Sequence, residues 1–206
     1  FEMLFADTGA ELPENYWFLP KLAKYVGKPL HVVSNGGFFL WLNKCGYFLP
    51  SAKRRWCTKV LKSIPMSKFY GNELYTHAVG IRADEIKRIR PQEKWDKNEQ
   101  RLYPLVEAGM DKKEVKKLCK KHDMLNPVYD WRSSVSCFCC PLQRLQDWKG
   151  LYINHPNLFM IAEKWEGFCI KCNFGWRGDK WTLEKIRKNV ESCGGSLFNT
   201  KEVENE

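Results

Sequence analysis

Phe1-Glu2-Met3-Leu4-Phe5-Ala6-Asp7-Thr8-Gly9 decides the fold class. Glu2 to Ala6 is an apolar run of strand length, and Asp7-Thr8-Gly9 is a turn at its carboxyl end. Pro13 then occupies a first-turn position with Glu14 beside it, and a helix runs through Tyr16, Leu19 and Leu22 to about Val26. Pro20 must bend or restart that helix, and Gly27-Lys28-Pro29 ends it. Leu30 to Val33 forms a second short strand. Strand, helix, strand is the unit of a parallel sheet.

Downstream segments continue the alternation. Phe38 to Lys44 is helical and Gly46 breaks it. Lys53 to Ser63 reads as a helix closed by Pro65, Thr76 to Ile81 as a third strand, and Asp84 to Arg90 as a short helix. Tyr103-Pro104-Leu105 starts a connector. Asp111, with Glu114 three residues on, caps a helix to about His122. Asn126-Pro127 is a turn. The helical pattern resumes at Leu142, Leu145, Trp148 and Leu151, then over Pro156 to Trp165 and Thr182 to Val190, and the tail from Asn199 is polar. The expected fold is α/β, a Rossmann-like, mostly parallel sheet with helices on both faces. Residues 1–145 are expected to form the α/β domain, and 146–206 a helical and Cys-containing extension.

The chain has 206 residues, 44% of them hydrophobic, which is enough for a core without disulfides. The longest apolar candidate, Gly36 to Leu42, is too short to span a membrane and ends at Asn43-Lys44. No secretory signal is visible, so a cytoplasmic setting is expected. The chain starts at Phe1, directly on a core strand and without an initiator Met, which reads as a missing N-terminal piece. Nine cysteines with two Cys-x-x-Cys pairs favour metal or redox use over disulfides. The net charge of +10 allows an anionic partner such as a nucleotide, tRNA or DNA. Much of the excess, Lys112-Lys113, Lys116-Lys117 and Lys120-Lys121, has the spacing of a solvated helix face opposite Val115 and Leu118.

Four segments carry chemistry. Asp7-Thr8-Gly9 sits where open α/β sheets bind ligands, outside the carboxyl ends of strands. Gly80-Ile81-Arg82 ends the third strand and would aim Arg82, the side chain suited to bidentate capture of phosphate or sulfate, at the same crevice. A salt-bridge ladder with Glu85 and Arg88 fits that spacing equally well. Cys57 lies among Arg54, Arg55, Lys59 and Lys62, and cations favour thiolate. Cys137-x-x-Cys140-Pro141 has the spacing of a thiolate pair, with Cys139 sent elsewhere. Cys169-x-x-Cys172, in a Gly- and aromatic-rich loop, is a second pair. Two ligand sets are open: Cys57, Cys137 and Cys140 around an iron–sulfur cluster, or Cys137, Cys140, Cys169 and Cys172 around a structural zinc.

These segments, in this order, resemble the phosphoadenosine phosphosulfate (PAPS) reductase family of the adenine-nucleotide alpha-hydrolase, or PP-loop ATP pyrophosphatase, group. The nearer likeness is to phage and DNA-phosphorothioation-type members. Phe5 to Glu14 is similar to the family's Asp-Thr-Gly…Pro-Glu segment. Pro50-Ser51, Arg55-Trp56-Cys57-Thr58, Leu61-Lys62 and Pro65 resemble its next stretch. Gly80 to Glu85 resembles its Gly-x-Arg segment, with Ile86 where Ser is usual. Asn126-Pro127-Val128-Tyr129-Asp130 with Cys137 to Pro141 is similar to its last motif, Ser136 replacing Gly. The likeness covers roughly residues 1–145.

The resemblance implies an adenine nucleotide (ATP, PAPS or APS) lined by Asp7, Thr8, Gly9 and Gly80, with Arg82 on phosphate or sulfate. It also implies a 4Fe–4S cluster on Cys57, Cys137 and Cys140, with a thiol reductant or a nucleic acid as partner. Glu191-Ser192-Cys193-Gly194 echoes a C-terminal motif whose Cys takes the sulfur, making Cys193 the candidate nucleophile. The chain departs from the family in lacking its Ser-Gly-Gly-Lys-Asp-Ser loop and in carrying Trp56-Cys57 where cluster-bearing reductases have Cys-Cys. The expectation is therefore a PAPS reductase-like oxidoreductase or sulfurtransferase. The alternative is a non-catalytic nucleotide- or nucleic-acid-binding module with a zinc site.

Overall fold

The computed structural model describes residues 1–51, 53–89, 98–172 and 181–192. It is a mixed α/β structure of helices and short parallel strands, divided into two compact units. The first takes Phe1–Ser63 and the chain from Asn126 onward; the second is Ile64–Leu125. Among the described residues, no helix is long and apolar enough to cross a membrane.

In the first unit, strand β1 (Met3–Asp7) leads to helix α1 (Pro13–Val26) and strand β2 (Leu30–Ser34). The strands pair in parallel with Met3 opposite Leu30 and Asp7 opposite Ser34. Their carboxyl ends are thus level, and the two following turns lie side by side. Pro13 starts α1 as expected, and Gly27, at φ 67°, ends it in the left-handed conformation that glycine adopts without strain. Pro20 stays inside the helix on its exposed side, where water can solvate the carbonyl left without an amide partner.

Helix α2 (Phe38–Lys44) follows, then α3 (Trp56–Thr58), which runs into a single π turn (Lys59–Ser63). The expected helix over Lys53 to Ser63 is shorter at its start: Arg54 and Arg55 precede it. After Asn126 come a 3-10 turn (Pro127–Asp130) and three helices. These are α7 (Leu145–Asn154), α8 (Pro156–Lys171) and α9 (Leu183–Ser192). Helix α8 runs well past Trp165, because Phe159, Ala162, Glu166 and Cys169 keep one buried stripe at helical spacing. Cys169 therefore lies on a helix, with Cys172 at its carboxyl end, and not in a loop. Leu12, Phe38, Leu42, Leu61, Phe138, Cys139, Trp148, Leu151, Phe159 and Ile186 meet in one core.

The second unit holds α4 (Ile64–Tyr70), β3 (Tyr75–Ala78), a 3-10 helix (Ala83–Arg88), β4 (Glu99–Leu102), α5 (Pro104–Glu107) and α6 (Lys112–Lys121). Pro65 does not close a helix; it is the second residue of α4, where its missing N–H costs little. Strand β4, which the sequence pattern did not reveal, pairs in parallel with β3. Asp111 and Glu114 form the expected capping box of α6. The inner side of α6 differs from expectation: Val115 and Cys119 are half-buried, whereas Leu118 is exposed.

Candidate functional site

The turn after β1 is built around close backbone approach. Gly9 has φ 65° and Gly37 φ 87°, and a Cβ on Gly9 would stand 3.1 Å from the Gly37 Cα. The Phe38 N–H donates to the Thr8 carbonyl at 2.7 Å, joining the turn after β1 to the start of α2. The Asp7 Oδ1 accepts from the Gly9 N–H at 2.8 Å and from the Tyr16 hydroxyl at 2.9 Å. Burial and this carboxylate push the Tyr16 phenol above its ordinary range.

Thr8 faces inward and is buried. Its hydroxyl donates to Glu11 Oε1 at 2.8 Å and lies 3.2 Å from the Cys137 Sγ. The Cys137 thiol in turn lies 3.5 Å from the same Glu11 oxygen. Glu11 Oε2 accepts from Asn15 at 3.1 Å, and the Asn15 carbonyl oxygen accepts from Asn126 at 3.0 Å. A continuous polar network thus runs beneath the turn, satisfying each buried group as burial demands.

Cys137 opens a tight turn. The Phe138 N–H bonds the Ala10 carbonyl at 2.8 Å, and the Cys140 N–H bonds the Cys137 carbonyl at 3.1 Å. Gln143 donates to the Phe138 carbonyl at 3.0 Å. Arg132, 3% exposed, clamps the loop through Ser136 O at 2.9 Å, Ser136 Oγ and Cys137 O at 3.0 Å each, and Gln143 Oε1. Burial draws the Arg132 guanidinium below its ordinary value, opposed by Asp147 and by Cys140, Cys137 and Cys139. Cys139 turns into the core, fully buried.

Cys57 is placed by two contacts of its helical segment. Trp56 stacks on Phe38 with ring centres 5.5 Å apart and donates to the Phe48 carbonyl at 2.9 Å. Asn35, in the turn after β2, donates to the Val60 carbonyl at 2.9 Å within the π turn. Single π turns recur at functional sites. Cys57 and Cys140 interact electrostatically, as do Cys137 and Cys140, and Lys62 acts on both Cys57 and Cys137. The expected lowering of the Cys57 thiol does not occur. Burial, reinforced by Cys140, outweighs Arg55 and Lys62 and raises it. Burial and Glu11 push Cys137 up to about 12. Cys57 and Cys137 are thus held as neutral thiols.

Among the described residues, no group of three or more His, Cys, Asp or Glu side chains is gathered closely enough to hold a metal ion. In kind, Cys57, Cys137 and Cys140 are soft donors of the type that thiophilic metals prefer, and Cys140 acts on both Cys57 and Cys137. Burial, Cys172 and the buried Glu166 push Cys169 up to about 12.

Arg82 belongs to the second unit and bonds Asp84 at 2.9 and 3.0 Å and Glu85 at 3.0 Å; Glu85 also pairs with Arg88 at 2.6 Å. The ladder with Glu85 and Arg88 is therefore formed. Gly80 is exposed, and a Cβ there would meet nothing within 4 Å. Cys193 lies outside the described residues. Sequence reasoning missed Glu11, Asn15 and Arg132. The signal for Glu11 was the Thr8-x-x-Glu11 spacing just before a helix; Arg132 carried none.

No family model matches the chain, and no solved structure matches it. It is similar to an uncharacterised nin-region protein of Escherichia phage lambda, 30% identical in an alignment 118 residues long that covers 43% of this chain and 41% of that protein. It is also similar to an uncharacterised protein of Methanocaldococcus jannaschii, 25% identical over 173 residues, 80% of this chain and 40% of that protein. The chain spans about two fifths of the length of these curated relatives.

Proposed function

We propose that the chain is part of a sulfur-metabolism enzyme, a PAPS reductase-like oxidoreductase or sulfurtransferase. In this reading an adenine nucleotide lies beside a 4Fe–4S cluster held by Cys57, Cys137 and Cys140. The observation that carries it is the meeting of the turn after β1 with the Cys137 loop, Thr8 Oγ1 standing 3.2 Å from Cys137 Sγ. That turn ends a parallel strand, the position at which α/β sheets present backbone amides to nucleotides. The same reading takes the fold as Rossmann-like with a mostly parallel sheet.

Asp7, Thr8 and Gly9 would line the nucleotide, the bare Gly9 backbone allowing a phosphate to come close. The family resemblance makes Gly80 a nucleotide residue and Arg82 a phosphate or sulfate ligand, and Arg82 would exchange its bonds to Asp84 and Glu85 for that anion. When bound, a thiolate-held cluster supplies electron transfer or polarises an anion. Cys193 would receive the sulfur. Anaerobic purification of wild type and Cys57→Ala, with iron, sulfide and zinc assayed alongside the visible spectrum, tests the reading. It expects brown protein whose colour is lost in the variant. Colourless protein with zinc unchanged in Cys57→Ala overturns it.

A second reading rests on a separate observation. Lys113, Lys117, Lys120 and Lys121 are exposed along α6 in a chain of net charge +10. A non-catalytic module binding DNA or tRNA would use that face, with affinity falling steeply as salt rises. Salt-independent binding, or turnover of a sulfonucleotide, would exclude it.

A further inference from the structure

We propose that the turn following α2 carries a binding face for single-stranded nucleic acid, in which Lys44, Arg54 and Lys171 stand beside the rings of Trp41, Phe48 and Phe168. The inference takes from the second reading above only the class of partner. The site is a different one, in the first unit, whereas α6 belongs to the second.

The charge of the chain is concentrated in one stretch. Residues 15–72 contain ten Lys and Arg and no Asp or Glu, and the other 24 Lys and Arg balance the 24 Asp and Glu. The net charge of +10 therefore arises from this stretch, and the lysines of α6 fall in the balanced remainder. In the first unit the stretch exposes Lys44, Lys53 and Arg54. Among the described residues, no carboxylate pairs with Lys44, Lys53, Arg54 or Lys171. Positive charge left unbalanced in this way attracts polyanions.

Three segments bring aromatic rings to these cations. The chain leaving α2 is tightly wound: the N–H groups of Cys45, Gly46 and Tyr47 donate to the Trp41, Asn43 and Leu42 carbonyls at 2.9 Å each. Tyr47 has φ 61°, a left-handed backbone that residues other than glycine rarely adopt, and its ring stacks on Phe168 of α8 with centres 5.8 Å apart. Phe48 is fixed by Trp56, whose indole N–H donates to its carbonyl at 2.9 Å, and the Arg54 guanidinium lies over its ring at 5.6 Å. Lys44 lies over Trp41 at 4.8 Å and Lys171 over Phe168 at 6.0 Å. Phe168 is 38% exposed, and Trp41 and Phe48 are half-buried.

A single strand presents phosphates along its backbone and base faces that are free to stack. Proteins hold it by setting cations among aromatic platforms. A duplex keeps its base faces inside the stack, and a lipid surface offers anions without rings. The pairing of each cation with a ring at this turn therefore matches the single strand.

Fluorescence anisotropy with labelled oligothymidylate and oligouridylate, each about 16 nucleotides long, tests the face on the full reduced chain. The tighter of the two identifies the strand as DNA or RNA. Lys44→Ala with Arg54→Ala should lower the steepness of log affinity against log salt by about 1.4, at about 0.7 for each phosphate contact removed. Phe168→Ala should weaken binding about fivefold or more at fixed salt, as the loss of one stacked base does. If that variant does not fold, Phe168→Leu, which keeps apolar bulk and loses the flat ring, replaces it. Lys113→Ala with Lys117→Ala, on α6, should bind as wild type does. A loss in the α6 variant as large as in the Lys44 and Arg54 variant overturns the face at α2 and leaves the second reading standing. No binding of either oligonucleotide by wild type overturns both. Binding untouched by the Phe168 substitution, or equal affinity for a duplex or for phosphatidylserine vesicles, overturns the single-strand assignment.

Discussion

The Thr8 hydroxyl and the Cys137 thiol, 129 positions apart in sequence, stand 3.2 Å from each other above the Glu11 carboxylate. This contact joins the end of the first strand to the cysteine turn, and the network beneath it ties both to Asn15 and Asn126. Thr8→Val keeps the shape and removes the hydroxyl, leaving Glu11 Oε1 short of a buried donor. The expected cost is about 1–3 kcal/mol, the penalty for an unsatisfied buried polar group. Urea unfolding of the metal-free chain measures it, and an unchanged midpoint would mean that water replaces the hydroxyl.

Gly9 and Gly27 share a left-handed backbone, at φ 65° and 67°, but differ in surroundings. A Cβ on Gly27 meets nothing within 4 Å, while one on Gly9 stands 3.1 Å from the Gly37 backbone. Gly27→Ala should therefore cost only the conformational term, about 1–2 kcal/mol. Gly9→Ala should cost more, because the turns after β1 and β2 must also separate. Equal melting temperatures for the two variants would show that the close approach is not tight.

The parts of this fold that announce themselves in sequence are those with local causes. Pro13 and Gly27 bound α1, and Asp111 with Glu114 starts α6, because a cap is a matter of a few neighbouring residues. Strand β4 was illegible, since Glu99-Gln100-Arg101-Leu102 has no apolar alternation. Across the pair Glu99 bonds His77 at 2.9 Å, and along β4 it accepts from Arg101 at 2.7 and 3.0 Å. The same divide runs through the site. Spacing singled out Cys137 and Cys140, and neighbouring cations Cys57, but the sign of the Cys57 shift depends on burial, which cations next to it in sequence do not reveal. Arg132 was invisible because its partners at Ser136, Cys137 and Gln143 are defined by a loop's path.

Gly150 on α7 packs against the residue that precedes Arg132. A Cβ there would meet the Trp131 carbonyl oxygen at 2.8 Å and the Trp131 ring at 3.1 Å. Gly150→Ala gains helix propensity, yet the backbone of Trp131 must move to admit the methyl group. Overpacking of this kind costs about 1–3 kcal/mol, against the roughly 1 kcal/mol gained from alanine in a helix. The variant should be no more stable than wild type, as urea midpoints of the two measure. A clear gain in stability would show that α7 slides away freely.

Alkaline pH should unfold the metal-free chain through its cysteines. Burial holds Cys137 and Cys169 up at about 12 and raises Cys57 and Cys139 as well, from an ordinary 9.0. The folded state therefore keeps thiol protons that the unfolded chain releases. Stability from this source is complete below about pH 9 and falls as pH climbs toward about 12, because the unfolded state binds fewer protons across that window. Urea midpoints of the reduced chain at rising pH measure the slope. Cys137→Ser removes one of these protons and should make the decline shallower, whereas a metal that binds Cys137 and Cys140 as thiolates should flatten it further. A slope unchanged by Cys137→Ser would mean that this thiol titrates in the fold as it does in water.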